Sequence, residues 1–112
     1  AEAHMNLGVY YLHIGWLEGA EKETQIARQL FERSHETHIE GAKWEDSLSI
    51  AYNNLGVIAV GKIAKDPGDA VSLLQEGIAD FKKSLALNPN NAQAHVNLEK
   101  YETIDPQSSP LP

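Results

Sequence analysis

The chain has 112 residues, the length of a single domain. Its net charge is −7, from 9 basic and 16 acidic residues, and an acidic surface disfavours nucleic acids and anionic membranes as partners. Cysteine is absent, which excludes disulfides, thiolate catalysis and cysteine-ligated metal centres.

The sequence shows no apolar run of the roughly 20 residues that a membrane helix needs, and no signal peptide. We therefore expect a soluble protein with no direct membrane insertion. The compartment stays open between the cytoplasm and the periplasm, the second with a processed N-terminus.

Apolar residues recur three and four positions apart, which predicts an all-α fold of about five helices. A Pro-Gly turn signal follows the third helix, and Asn88-Pro89-Asn90-Asn91 ends the fourth. The short fifth helix is predicted to cap the stack, and residues 104–112 to form a flexible tail rich in proline and serine. The predicted helices cover about Glu2–Ile14, Leu17–Ile39, Trp44–Lys65, Ala70–Leu87 and Ala92–Glu102.

A short motif recurs along the chain, with an alanine three positions before each copy. Such an internal repeat indicates that the fold uses one small unit several times. A glycine inside a helix costs about 1 kcal/mol relative to alanine, so we expect a neighbouring helix to pack closely against the glycines, with the leucines filling the seam. The copies are Asn6-Leu7-Gly8, Asn54-Leu55-Gly56 and Asn97-Leu98-Glu99.

On these residues the chain resembles the tetratricopeptide repeat (TPR) proteins, which repeat a helix-turn-helix unit of 34 residues. The resemblance implies antiparallel helix pairs in a superhelix, with repeat one at about 1–43, repeat two at about 44–91 and a cap at 92–103. The matching residues are Leu7, Gly8, Tyr11, Gly15, Ala20 and Ala27 in the first copy, Tyr52, Leu55, Gly56, Phe81 and Pro89 in the second, and His95 and Leu98 in the third.

The repeats are longer than the family period. Gly8 and Gly56 are 48 residues apart, and Gly56 and Glu99 are 43 apart. Equal lengthening of two antiparallel helices accommodates such insertions. We therefore predict that the third helix is an unbroken spine of about 30 Å, at 1.5 Å per residue.

The resemblance also implies that the first helix of each pair lines a concave groove. Asparagine amides both donate and accept hydrogen bonds, which suits the backbone of an extended peptide. The basic residues with which chaperone-binding family members clamp a carboxylate are missing, so we predict a mostly apolar peptide or helix as the ligand. The implied groove residues are Met5, Asn6, Val9, Leu12, His13, Asn53, Asn54, Val57, Val60, Val96, Asn97 and Lys100.

Two of these assignments have structural alternatives. The side chains of Val9, Val57 and Val60 either contact the ligand or pack on a neighbouring helix. Trp16 is a candidate anchor for a partner, since tryptophan is enriched in interface hot spots, or it seals a helix junction.

We predict a non-catalytic interaction module that needs no cofactor. Its partner is another protein or a larger complex, in which the chain is an adaptor, an assembly factor or an accessory subunit. One alternative is a self-associating structural homo-oligomer. Another is a small metal-binding helical protein, built on the cluster Glu32, His35, Glu36, His38 and Glu40.

Overall fold

The computed structural model describes residues 2–37 and 43–104, with side chains described for 2–33 and 45–104. Two 3-10 turns, Lys62–Ala64 and Pro67–Asp69, connect the third helix to the fourth. Within these ranges no strand occurs, and the predicted all-α fold is confirmed. The five α-helices are α1 (Glu2–His13), α2 (Leu17–Thr37), α3 (Lys43–Gly61), α4 (Ala70–Leu87) and α5 (Ala92–Glu102).

The described helix bounds follow the sequence prediction to within one residue, except at the end of α3. Helix α3 runs unbroken through Ser49–Gly61, and its 19 residues make it about 28 Å long. It ends at Gly61 instead of Lys65, because the chain tightens into a 3-10 turn in which the Lys65 N–H donates to the Lys62 carbonyl. The predicted end of α2 at Ile39 and residues 105–112 of the predicted tail lie outside the described residues.

The helices form two layers. Each helix packs mainly against its neighbours in sequence, while α1 touches α3 and α3 touches α5 more lightly. We call α1, α3 and α5 the groove layer, and α2 and α4 the covering layer. In this helix-on-helix fold, α2 packs against both α1 and α3, and α4 packs against both α3 and α5.

The glycines of the repeated motif lie where the two layers touch. A Cβ on Gly56 would come within 2.5 Å of Phe81 Cε1, and one on Gly8 within 2.6 Å of Thr24 Oγ1. On the facing helix, a Cβ on Gly77 would lie 2.7 Å from Val60 Cγ1. The expected close approach of helices at both glycines is therefore confirmed.

The leucines of the motif differ in burial. Leu55 is buried, as expected for a residue that fills a seam, whereas Leu7 at the equivalent position is 38% exposed. The expectation for Leu7 is wrong because, within the described residues, no helix precedes α1 to cover that face.

A buried polar cluster joins α3, α4 and the start of α5. Ser49 Oγ donates to the Ser84 carbonyl oxygen (2.8 Å), and Ser84 Oγ donates to that of Ser49 (2.7 Å). The Asn91 side-chain amide donates to Ser49 Oγ (3.0 Å). Its carbonyl accepts from the Ala94 N–H (3.1 Å), which caps the N-terminus of α5. The Asn-Pro-Asn-Asn turn is thereby held against the core.

Candidate functional site

The groove layer presents a row of equivalent asparagines, one from each helix. Asn6, Asn54 and Asn97 each lie two residues before a seam position, which places them about 200° around the helix from the covering layer. Asn97 Nδ2 donates to Asn53 Oδ1 across the α3–α5 boundary (3.0 Å). Asn54 Nδ2 donates to Met5 Sδ across the α1–α3 boundary (3.6 Å). These contacts join the three helices into one surface.

The twelve implied groove residues differ in exposure. Met5 and Asn53 are buried and support the surface from below. Val60 faces Gly77 of α4, so the packing alternative describes its position. Four of the remaining residues are exposed: Asn6, His13, Val96 and Lys100. The other six are half-buried: Val9, Leu12, Asn54, Val57, Val60 and Asn97.

A cavity of about 160 Å³ opens between the N-terminal halves of α1 and α3. A cavity of similar volume can hold a molecule the size of benzene. Two of its lining residues, Met5 and Asn6, were predicted from the sequence. The full lining is Glu2, Met5, Asn6, Phe31, Ser47 and Ile50.

The sequence prediction does not include Glu2, Ile50 and Phe31, for two different reasons. Glu2 and Ile50 are 48 residues apart and precede the asparagines by one helical turn, so extending the repeat register would have found them. Phe31 comes from the covering helix α2, and no local pattern indicates that its ring reaches the gap between α1 and α3.

The cavity has apolar and polar residues in distinct roles. Met5 and Phe31 are buried, while Ile50 is 48% exposed and offers an aliphatic surface to a ligand. Glu2 is the one ionisable group among the lining residues. The arrangement suits an apolar side chain flanked by neutral or basic groups, and among its described lining residues no nucleophile is hydrogen-bonded to a base.

Of the two roles that the sequence left open for Trp16, the structure shows the sealing of a helix junction. Its ring packs against Gly19 and meets Tyr11 edge-on, with centroids 4.6 Å apart, so it seals the junction of α1 and α2. Gly15 makes this turn possible with a φ of 83°, a conformation that favours glycine. The indole is nevertheless 50% exposed and remains available to a partner.

The suggested metal cluster lies mostly outside the described side chains. Its one described member, Glu32, accepts hydrogen bonds from Arg28 Nη1 (2.9 Å) and the Tyr52 hydroxyl (2.8 Å). Burial, together with this contact to Glu32, raises the pKa of Tyr52. Among the described residues no group of three or more potential ligands is suitably placed for a metal ion.

Comparisons of the chain with protein-family models, curated proteins and solved structures found no match. None of the helices described is both long enough and apolar enough to cross a bilayer. The five packed helices and the repeated asparagine surface are compatible with a helical-repeat protein.

Proposed function

We propose that the chain is a TPR-like, non-catalytic interaction module that binds a mostly apolar peptide or helix across its groove layer. In this role it is an adaptor, an assembly factor or an accessory subunit of a larger complex. The observation that carries the proposal is the cavity between α1 and α3, with Met5, Phe31 and Ile50 beside the row of asparagines.

The cavity and the asparagines supply two complementary kinds of contact. An apolar side chain that enters the cavity is removed from water, which contributes about 25 cal/mol per Å² of apolar surface. The amide of Asn6 lines the opening, and the amide of Asn54 is bonded to the lining residue Met5, so both can pair with the backbone of the same segment. Together these contacts favour a segment that has a large apolar side chain and whose backbone on either side of it is free to form hydrogen bonds.

The spacing of the helices indicates how long the bound segment is. Packed helices lie about 8–10 Å apart, so crossing from α1 to α5 takes about 16–20 Å. An extended chain covers this in about six residues at 3.3 Å each. Glu2 at the α1 end and Lys100 on α5 favour a ligand that is basic over α1 and acidic over α5.

The chain offers a well-matched pair of variants to test this proposal. Ile50 lines the cavity and is 48% exposed, while Val71 on α4 is 51% exposed and lies outside the groove layer. Both are β-branched aliphatic residues on helix surfaces, so Ile50→Glu and Val71→Glu should perturb the fold to similar small extents.

The experiment is affinity capture with quantitative mass spectrometry, using the wild type and both variants. We expect specific partners of the wild type to be depleted with Ile50→Glu and retained with Val71→Glu. Circular dichroism confirms that all three proteins are folded. Equal recovery of the same partners by the wild type and Ile50→Glu would contradict binding in the groove.

A further inference from the structure

The polar part of the cavity lining comes from three side chains, Glu2, Asn6 and Ser47. Glu2 and Asn6 are exposed and Ser47 is half-buried, so these groups lie nearer to solvent than the buried apolar lining. Within the described part of the chain, none of the three side chains forms a hydrogen bond or an ion pair with another protein group. We call these three residues the cavity rim, and their polar atoms are open to a bound segment.

The hydrogen-bonding capacity of the rim restricts what can bind there. The Glu2 carboxylate accepts hydrogen bonds, whereas the Asn6 amide and the Ser47 hydroxyl both donate and accept. The amide nitrogen of Asn54 is engaged by Met5 Sδ at 3.6 Å, which leaves the Asn54 carbonyl oxygen to accept. A ligand group that has several donors and no acceptor therefore satisfies all of these side chains, whereas an acidic group would repel Glu2.

The charge around the cavity is negative. It lies near the starts of α1 and α3, and each helix start is equivalent to a charge of about +0.5. The first turns of these helices contain three carboxylates, those of Glu2, Glu45 and Asp46. The three negative charges outweigh the two helix starts and the charge of Lys43 together. The local field therefore favours a cation.

We propose that the cavity rim binds the guanidinium group of an arginine that stands within two positions of the ligand's apolar anchor. This inference rests on the proposed function, because it assigns a second ligand residue to the same groove. Arginine has five N–H donors and no acceptor, and its planar fork pairs with a carboxylate through two parallel hydrogen bonds. Its methylene stem can lie on Ile50, which is 48% exposed.

The placement of the rim makes arginine a better fit than lysine. Glu2 and Asn6 belong to α1, whereas Ser47 belongs to α3, so the acceptors stand on two helices. A guanidinium distributes its donors over a rigid plane and can contact both helices at once. A lysine ammonium places its three donors on a single nitrogen and is more strongly hydrated.

The spacing within the ligand follows from its extended backbone. Met5 and Phe31 are buried, so the apolar anchor enters more deeply than the guanidinium at the rim. Residues i and i+2 of an extended chain point to the same side and are about 7 Å apart. An arginine two positions from the anchor therefore reaches the rim while the anchor occupies the cavity.

The test uses the full chain and a bead-bound library of hexapeptides with blocked termini. Leucine is fixed at the third position and the other positions are random. Beads that retain the wild type, Glu2→Gln or Glu18→Gln are sequenced. Glu18 is the matched control, because it is also an exposed glutamate in the first turn of a helix but lies on α2, outside the cavity lining.

We expect arginine to be enriched about fivefold within two positions of leucine on beads that retain the wild type or Glu18→Gln. With Glu2→Gln the enrichment should fall below about twofold. A retained peptide is then synthesised with citrulline, the neutral analogue of arginine. Citrulline should weaken binding to the wild type about fivefold and leave binding to Glu2→Gln almost unchanged.

The possible results separate this inference from the groove proposal. Absence of arginine enrichment, enrichment that Glu2→Gln leaves undiminished, or stronger enrichment of lysine would each overturn the arginine assignment. Ile50→Ser removes apolar surface without adding a charge, and it should reduce retention on the whole library. Equal retention of the wild type and Ile50→Ser would contradict binding in the groove, and failure of every bead to retain the wild type would overturn both proposals.

Discussion

The two ends of the groove layer are built from the same repeated motif but present opposite surfaces. At the α1 end, Tyr10 and Ile14 are exposed apolar residues on the face that is covered in α3 and α5. At the α5 end, Glu99 stands where α1 and α3 have glycine, and it is exposed. A charged residue at this position disfavours the close approach of a further helix, whereas the apolar residues of α1 favour it. Two stretches that share the Ala-His-x-Asn-Leu pattern thus differ because one carries Gly8 and the other Glu99, and because α4 packs on the second.

The largest loss of stability is expected from a substitution in α3, between the two ends of the groove layer. Gly56→Leu should unfold the domain, at a cost above about 4 kcal/mol, because Phe81 leaves no room for a side chain. Circular dichroism melting checks this against Gly68→Leu, whose Cβ would meet nothing within 4 Å. A Gly56→Leu melt as high as that of the parent would refute the account of the seam.

The next prediction compares the loss of stability at the two ends, by substituting two tyrosines at the same register position. Tyr101→Asp should cost about 3 kcal/mol, because it removes a ring stacked on Phe81 and places a charge against the core. Tyr10→Asp should cost less than about 0.5 kcal/mol, since its ring is already 57% exposed. Urea denaturation measures both, and equal losses would show that the two ends do not differ.

The attachment of the α5 end depends on the asparagine that begins the helix. Asn91→Ala removes the cap on Ala94 and the hydrogen bonds to Ser49 and Ser84, and should cost about 2 kcal/mol. Asn90→Ala is the matched control in the same turn, because Asn90 is exposed. Hydrogen exchange should show the loss concentrated in α5, and a loss spread evenly over all helices would argue against this role.

A smaller, pH-dependent effect is expected at Asp80 on α4. Burial and the nearby charge of Glu76 raise the pKa of Asp80 from 3.8 to about 6, although Arg28 opposes the shift. The folded state therefore holds a proton that the unfolded state releases between these values. Its stabilising contribution is full below pH 3.8 and is lost as the pH rises through about 6.

Asp80→Asn should remove this dependence. At pH 7 the variant should be more stable than the wild type by about 1 kcal/mol, a value reduced for solvent screening of a half-buried group. At pH 3.5 the two proteins should be equally stable. Urea denaturation at both values provides the measurement, and a difference that does not change with pH would exclude a raised pKa.

The sequence predicted helices best where it contains clear stop signals. The bounds of α4 and α5 match, because the Asp66–Asp69 turn and the Asn88–Asn91 turn are built from proline, glycine and asparagine. The end of α3 was placed four residues too late, because Lys62–Ala64 contains no helix breaker and becomes a 3-10 turn through its tertiary setting.

Residues that line the cavity were predictable from the sequence only where the repeat register reaches them. Met5 and Asn6 are predicted groove residues that line the cavity, and extending the register by one turn would have added Ile50. The register could not indicate Phe31, whose ring reaches the cavity from another layer. Nor could it distinguish Leu7 from Leu55, because burial depends on a neighbouring helix that the motif itself does not encode.

The most direct test of groove binding is a calorimetric titration with the segment of a captured partner. The wild type, Ile50→Glu and Val71→Glu are titrated under identical conditions. The account predicts a Kd at least about tenfold higher for Ile50→Glu, equivalent to 1.4 kcal/mol, and an unchanged Kd for Val71→Glu. Equal affinity of the wild type and Ile50→Glu would contradict the claim that the groove layer binds the ligand.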